Sequence, residues 1–232
     1  MNNIDVFKRL FNEFEELTFN ICKNNRLTIS EAIKELKDRR ISPYSTQYSF
    51  IEFCRRLRNS NSHTNNDSEY LIYTDKLIEN FKNIIEVIKH PYKVYDKATH
   101  PVVGFNENDK VRNVMKKMDE LNYTHIPIYD NNKKIVGVFS ETAIFKYLYD
   151  NEIIQIDNET TFKEIKKYID LNNSDNIKFV AKNELYDNVI NEFISEFKKG
   201  SKLSCVMVTE HGKKNEYIIG IITAWDIIGK VD

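Results

Sequence analysis

Ile135-Val-Gly137-Val-Phe-Ser140-Glu-Thr-Ala143 and Ile218-Ile-Gly220-Ile-Ile-Thr223-Ala-Trp-Asp226 are two copies of one pattern. Each is a short β-branched and apolar run, broken by one glycine, that ends on a hydroxyl residue. Such runs read as strands, and a terminal Ser or Thr supplies the oxygen that accepts a hydrogen bond from the free N–H groups of a helix start. The pattern is therefore a strand running into a helix, written twice. Upstream of the first copy lie a strand at 125–129 and the turn DNNKK; upstream of the second lie a strand at 203–209 and the turn HGKKNE. Each copy opens with a short strand, at 102–105 and 177–181, and a helix, at 109–121 and 185–197. With last strands at 135–139 and 217–222 and last helices from Ser140 and Thr223, both copies read β-α-β-β-α. Between them, residues 152–173 hold IIQI, read as a strand, and FKEIKKYI, read as a short helix, and look like a connector.

The first 90 residues follow another rule. They contain no glycine and a single proline, and Ile4, Phe7, Leu10, Phe11, Phe14, Leu17 and Ile21 recur at helical spacing. A second helix starts at Thr28-Ile-Ser-Glu31, where a capping box lets the Thr hydroxyl and the Glu carboxylate satisfy free N–H groups reciprocally. A third covers about 45–58 on Tyr48, Ile51, Cys54 and Leu57; after the polar break NSNSHTNNDSE a fourth carries Leu71, Leu77, Ile78, Phe81, Ile84, Ile85 and Ile88. His90-Pro91 closes the series. The expected fold is α/β (α+β): an all-α helical bundle at 1–95, a first β-α-β-β-α unit at 96–150, a connector at 151–176 and a second unit at 177–232.

Composition excludes several classes of function. Across 232 residues, 34 Lys and Arg meet 35 Asp and Glu, a formal charge of -1, so no global field advertises nucleic acid or an anionic surface. Aromatics make up 12% against a mean hydropathy of -0.53, which fits a folded chain. The longest apolar stretch, Tyr217 to Trp225, is far short of the roughly 18–20 residues of a membrane span. MNNIDVFKRLF lacks the segments of a signal peptide, and a cytoplasmic protein without a membrane partner is expected. Cys22, Cys54 and Cys205 support neither a disulfide framework nor a zinc site and read as small buried hydrophobes. No Gly-rich phosphate loop, H-E-x-x-H, G-x-S-x-G or Walker lysine occurs, and no metal site is expected.

The paired strand-to-helix junctions, with HIPIYDNNKKIVGV before the first, resemble the signature of cystathionine-β-synthase (CBS) domains over about residues 99–230. The resemblance implies two CBS units packed as a pseudo-twofold pair, a Bateman module, with adenosine nucleotides bound in the clefts between them. Carried over by position, Thr223 and Asp226 match the ribose-binding pair of the second unit. Ser204 and Cys205 would line its adenine wall, and His125 stands where relatives place a phosphate-contacting base. Ser140 matches the hydroxyl of the first copy, but Ala143 replaces the Asp one turn later, which implies one competent site. A hydroxyl at a helix start and a carboxylate one turn on suit the two hydroxyls of a ribose. The same two residues also suit a helix N-terminus with no ligand. His125 reads equally as a surface residue, and His211 as a solvated turn residue.

Leu57-Arg58-Asn59-Ser-Asn-Ser-His63 looks like the R-N-x-x-x-H motif of HEPN domains, helical bundles many of which are metal-independent ribonucleases. The resemblance implies His63 as proton donor or acceptor, Arg58 as the fork on the scissile phosphate, and Asn59 as the residue that orients the pair. Arg55 and Arg56 add local positive charge toward an RNA. Thr64 stands where relatives often have Gly, and solvated Arg side chains with a loop His is the competing reading. Together the resemblances predict a homodimeric sensor that binds AMP, ADP, ATP or a related adenosyl ligand as its regulatory small molecule and modulates the helical bundle. The alternatives are a nucleotide-gated ribonuclease acting on RNA and an interaction module without ligand.

Overall fold

The structure, a computed structural model, describes residues 2–24, 26–63, 73–171 and 176–228. The chain divides into two compact units, Met1–Tyr92 and Lys93–Asp232. Among the described residues no helix is long and apolar enough to cross a membrane.

The first unit holds α1 (Asn3–Cys22), α2 (Ile29–Asp38), α3 (Tyr48–His63) and α4 (Asp75–Lys89). Asn2 caps α1, Thr74 caps α4, and at α2 both halves of the Thr28–Glu31 capping box are formed. The aromatic stripe of α1 packs on α4, with the rings of Phe7, Phe11 and Phe14 centred 5.4, 6.0 and 5.5 Å from that of Phe81. All four phenylalanines are at most 1% exposed, so the stripe is core. The third helix runs five residues past its expected end. Within that extension Ser60 donates its hydroxyl to the Arg56 carbonyl at 3.1 Å, an i to i−4 bond that a polar segment can make without leaving the helix. Cys22, Cys54 and Cys205 are all buried, and burial pushes the Cys54 thiol up to about 12.

The second unit holds α5 (Val94–Lys97), β1 (Phe105–Asn106), α6 (Val111–Leu121), β2 (His125–Tyr129), β3 (Ile135–Ser140), α7 (Glu141–Asp150), α8 (Lys166–Ile169), β4 (Asn176–Ala181), α9 (Tyr186–Lys198), β5 (Leu203–Thr209), β6 (Gly220–Thr223) and α10 (Ala224–Ile228). These form two three-stranded sheets, β1-β2-β3 and β4-β5-β6. In each, the first pair is parallel across a helix and the second is an antiparallel hairpin. The repeat is exact in register at the decisive point: His125 pairs with Ser140 as Cys205 pairs with Thr223.

The sheets face one another through Ile135 and Val138 on one side and Cys205, Met207, Ile218 and Ile221 on the other. The outer face of the first is covered by α6, α7 and connector residues including Phe162 and Ile165; that of the second is covered by α5 and α9. A sheet buried on both faces needs no polar alternation, which is why all seven residues of β5 are buried. Three expected strands fare differently. IIQI forms no strand: Ile156 is buried while Ile154 is 99% exposed, and the backbone after it turns on Asp157. The strands expected at 102–105 and 217–222 shrink to Phe105–Asn106 and Gly220–Thr223, because ladder partners exist only there.

The leading segment of each unit crosses to the other. Thr99, ahead of β1, pairs with Ile221 in β6, their N–H groups and carbonyls bonded at 2.8 and 3.1 Å. Asp170, ahead of the second unit, bridges Gly137 in β3. The two motif glycines are the notches that admit these segments. A Cβ at position 137 would run into the Ile169 carbonyl, standing 2.8 Å from its carbon, and one at position 220 would stand 2.8 Å from the Ala98 Cβ. Gly137→Ala is therefore expected to cost roughly 1–3 kcal/mol, lowering the thermal midpoint by on the order of 5 °C. Thermal denaturation followed by circular dichroism checks it, and an unchanged midpoint would show that α8 does not hold its place on β3.

Candidate ligand-binding site

The junction of β6 and α10 carries the Thr223–Asp226 pair. The Asp226 carboxylate folds back on the helix start: Oδ2 accepts from the Thr223 backbone N–H at 2.8 Å and from the Thr223 hydroxyl at 3.0 Å. Its other oxygen, Oδ1, accepts from the Thr99 hydroxyl at 3.1 Å. The Tyr186 hydroxyl reaches the Asp226 carbonyl at 3.4 Å, and burial, followed by the charges of Asp226 and Asp187, pushes that phenol up to about 12. Tyr186 is thus a neutral donor at any ordinary pH. A carboxylate oxygen has two lone-pair sites, so Oδ1 has the capacity for a further donor such as a sugar hydroxyl.

This carboxylate stands in the wall of a cavity of about 510 Å³ between the two CBS-like units. One wall is the crossing segment at 99–103 with Ile221; the opposite wall is Tyr123, Thr124, His125 and Glu141 of the first unit. The volume falls in the range of small-ligand sites, and apolar walls with a few convergent polar groups are what such sites require. Thr124, His125, Glu141, Thr223 and Trp225 also border a second cavity of about 700 Å³, lined further by Ser140, Ser204, Lys202 and Phe193. The two cavities thus share five lining residues.

The expected site residues therefore part company. Thr223, Asp226 and His125 come together in the first cavity. His125 opens β2, with Nδ1 2.9 Å from the Thr124 hydroxyl oxygen. Ser204 and Ser140 line the second cavity, and the Ser140 hydroxyl accepts from the Ala143 N–H at 3.3 Å as the cap of α7. Cys205 lines neither. It is fully buried between the sheets, because alternation along β5 turns it and Met207 to the inner face while Ser204 turns outward. Residues of the segment 99–103 also line the first cavity, where sequence reasoning placed none. Those residues carried no motif; their role comes from the crossing of Thr99 to β6, which no local pattern encodes.

Ala143, which replaces the motif carboxylate in the first copy, is 1% exposed and packs among Phe139, Phe162 and Ile165. That position faces apolar core, not cleft. In the helical unit, Arg58 and Asn59 are half-buried on α3, and the Arg58 guanidinium carbon lies 5.8 Å from the centre of the Phe11 ring. The side chain of His63 lies outside the described residues.

Residues 94–150 match the family model of the CBS domain. The second unit repeats its strand pairing. No curated protein is similar enough in sequence to match. Among solved structures, the CBS domain pair of protein MJ0100 in complex with 5′-methylthioadenosine and S-adenosyl-L-methionine is 24% identical over 60% of this chain and 94% of its own, with a TM-score of 0.44. The CBS domains of a transcriptional regulator from Streptococcus pneumoniae are 18% identical over 60% and 98%, TM-score 0.42. The CBS domain protein NE2398 is 22% identical over 60% and 97%, TM-score 0.45.

Restoring the motif carboxylate in the first copy is expected to fail. Ala143→Asp places an unpaired charge in the outer core, with a penalty of several kcal/mol. Urea denaturation of the variant should show a large loss of stability and ligand titration no second site; a stable variant with doubled stoichiometry would refute this.

Proposed function

We propose that the C-terminal unit is a regulatory module that binds an adenosyl ligand in the cleft between its two CBS units, and that occupancy is passed to the N-terminal helical unit through residues 93–99. The observation that carries the reading is the Asp226 carboxylate, held at the wall of the cavity and shared between Thr223 and Thr99. Ribose hydroxyls donating to the second lone pair of Oδ1 share an oxygen already engaged by Thr99, so binding acts on the oxygen that pins the crossing segment. Thr99 follows α5, whose Val94 is fully buried against the second unit. Loosening Thr99 thus acts on the stretch that leads back to Tyr92. A ligand shifts such an equilibrium only by its differential affinity for the two states, and a hydroxyl added beside that of Thr99 at one carboxylate oxygen supplies that difference. Homodimer formation and the choice among adenosyl compounds belong to the same proposal.

The test is a thermal-shift panel on the full chain with adenosine, AMP, ADP, ATP, methylthioadenosine and S-adenosylmethionine. A ligand at a hundred times its Kd adds about 2.7 kcal/mol to the native state, a rise of about 5–10 °C. Asp226→Ala is expected to abolish the shift. Thr99→Val is expected to keep binding while removing the ligand-dependent change in hydrogen exchange over 93–99. A shift that survives Asp226→Ala overturns the site, and silence across the panel leaves an interaction module without ligand. RNA incubated without metal tests the helical unit separately: cleavage lost in His63→Ala would make it a nuclease.

A further inference from the structure

The charges around the cleft say more about the ligand than its shape does. The described lining of the smaller cavity includes two carboxylates, Asp226 and Glu141, and no Lys or Arg. The described lining of the neighbouring second cavity adds one ammonium, Lys202. Among the described residues the two cavities thus present two carboxylates against one ammonium, with His125 adding positive charge only when protonated.

Glu141 occupies the most telling place. It is the first residue of α7, a ten-residue helix whose start opens on the cleft opposite Asp226. A helix N-terminus is where the chain's own N–H groups and dipole would favour a phosphate. Here the first turn already carries an acidic side chain, and the Ser140 hydroxyl already caps it. At the corresponding place on α10 stands Ala224, so the carboxylate is a feature of one copy and not of the repeat.

Resting on the adenosyl reading of the site, we propose that the cleft selects a ligand whose extension from the ribose is uncharged or cationic, a thioether or a sulfonium, and discriminates against phosphorylated nucleosides. With the ribose on Asp226, the 5′ substituent runs toward the first unit and meets Glu141. A phosphate there sets like charges against each other in a half-enclosed cleft; a sulfonium sets opposite charges together. At separations of about 5 Å and intermediate dielectric this is worth on the order of tenfold in affinity in either direction.

Isothermal titration of the full chain with adenosine, methylthioadenosine, S-adenosylmethionine, AMP and ATP reads the selectivity directly. S-adenosylmethionine and methylthioadenosine are expected to bind at least about tenfold tighter than AMP. Glu141 is exposed, so Glu141→Lys leaves the fold intact, and it should bring AMP up and S-adenosylmethionine down until the order reverses. Wild-type protein that prefers AMP or ATP overturns the selectivity while leaving the adenosyl site standing. A preference indifferent to Glu141→Lys overturns the part given to Glu141. If none of the five compounds binds, the adenosyl reading falls and the selectivity falls with it.

Discussion

The C-terminal unit depends on two close approaches of a crossing segment to a strand at glycine. At Gly137 the end of α8 lies against β3, and at Gly220 the stretch ending at Ala98 lies against β6. Neither approach tolerates a Cβ, and each brings the leading segment of one repeat onto the sheet of the other. A pair of three-stranded sheets is small for an independent core, and the exchange makes the two inseparable. It also explains why one sheet face per repeat packs on the partner while the other packs on helices drawn from elsewhere in the chain.

The cleft is a by-product of that exchange. Because the crossing segment pairs with β6 through Thr99, it delivers residues 99–103 to the same wall as Thr223 and Asp226. Because the first unit faces the second, it delivers His125 and Glu141 to the opposite wall. The Thr99–Asp226 bond joins the two roles of the segment, as structural strand and as site wall. Any group that binds Asp226 therefore touches an element of the fold.

The repeat has lost its symmetry where chemistry is concerned. Thr223 and Ser140 occupy equivalent places, yet one is followed a turn later by Asp226 in the cleft and the other by Ala143 in an apolar core. Glu141 and Ala224 differ in the reverse sense. Charge is thus distributed unequally over the cavity walls by two sequences that fold alike.

Much of this was legible in the sequence because it is local. Hydrophobic period and turn residues placed β2 and β5 at their observed bounds, the capping box placed the start of α2, and the strand–glycine–hydroxyl pattern placed both last helices. Identification of Thr223, Asp226 and His125 as cleft residues followed from the same pattern. What the sequence alone determined, then, is the order and type of the elements and the residue chemistry at their junctions. Only the tertiary structure decided that Cys205 turns inward, that Ala143 is core, and that residues 99–103 wall the site. The reason is physical: in strands buried on both faces the apolar run has no alternation from which to read a direction. A segment that crosses to a distant strand is recruited by a backbone ladder, which leaves no mark on its side chains.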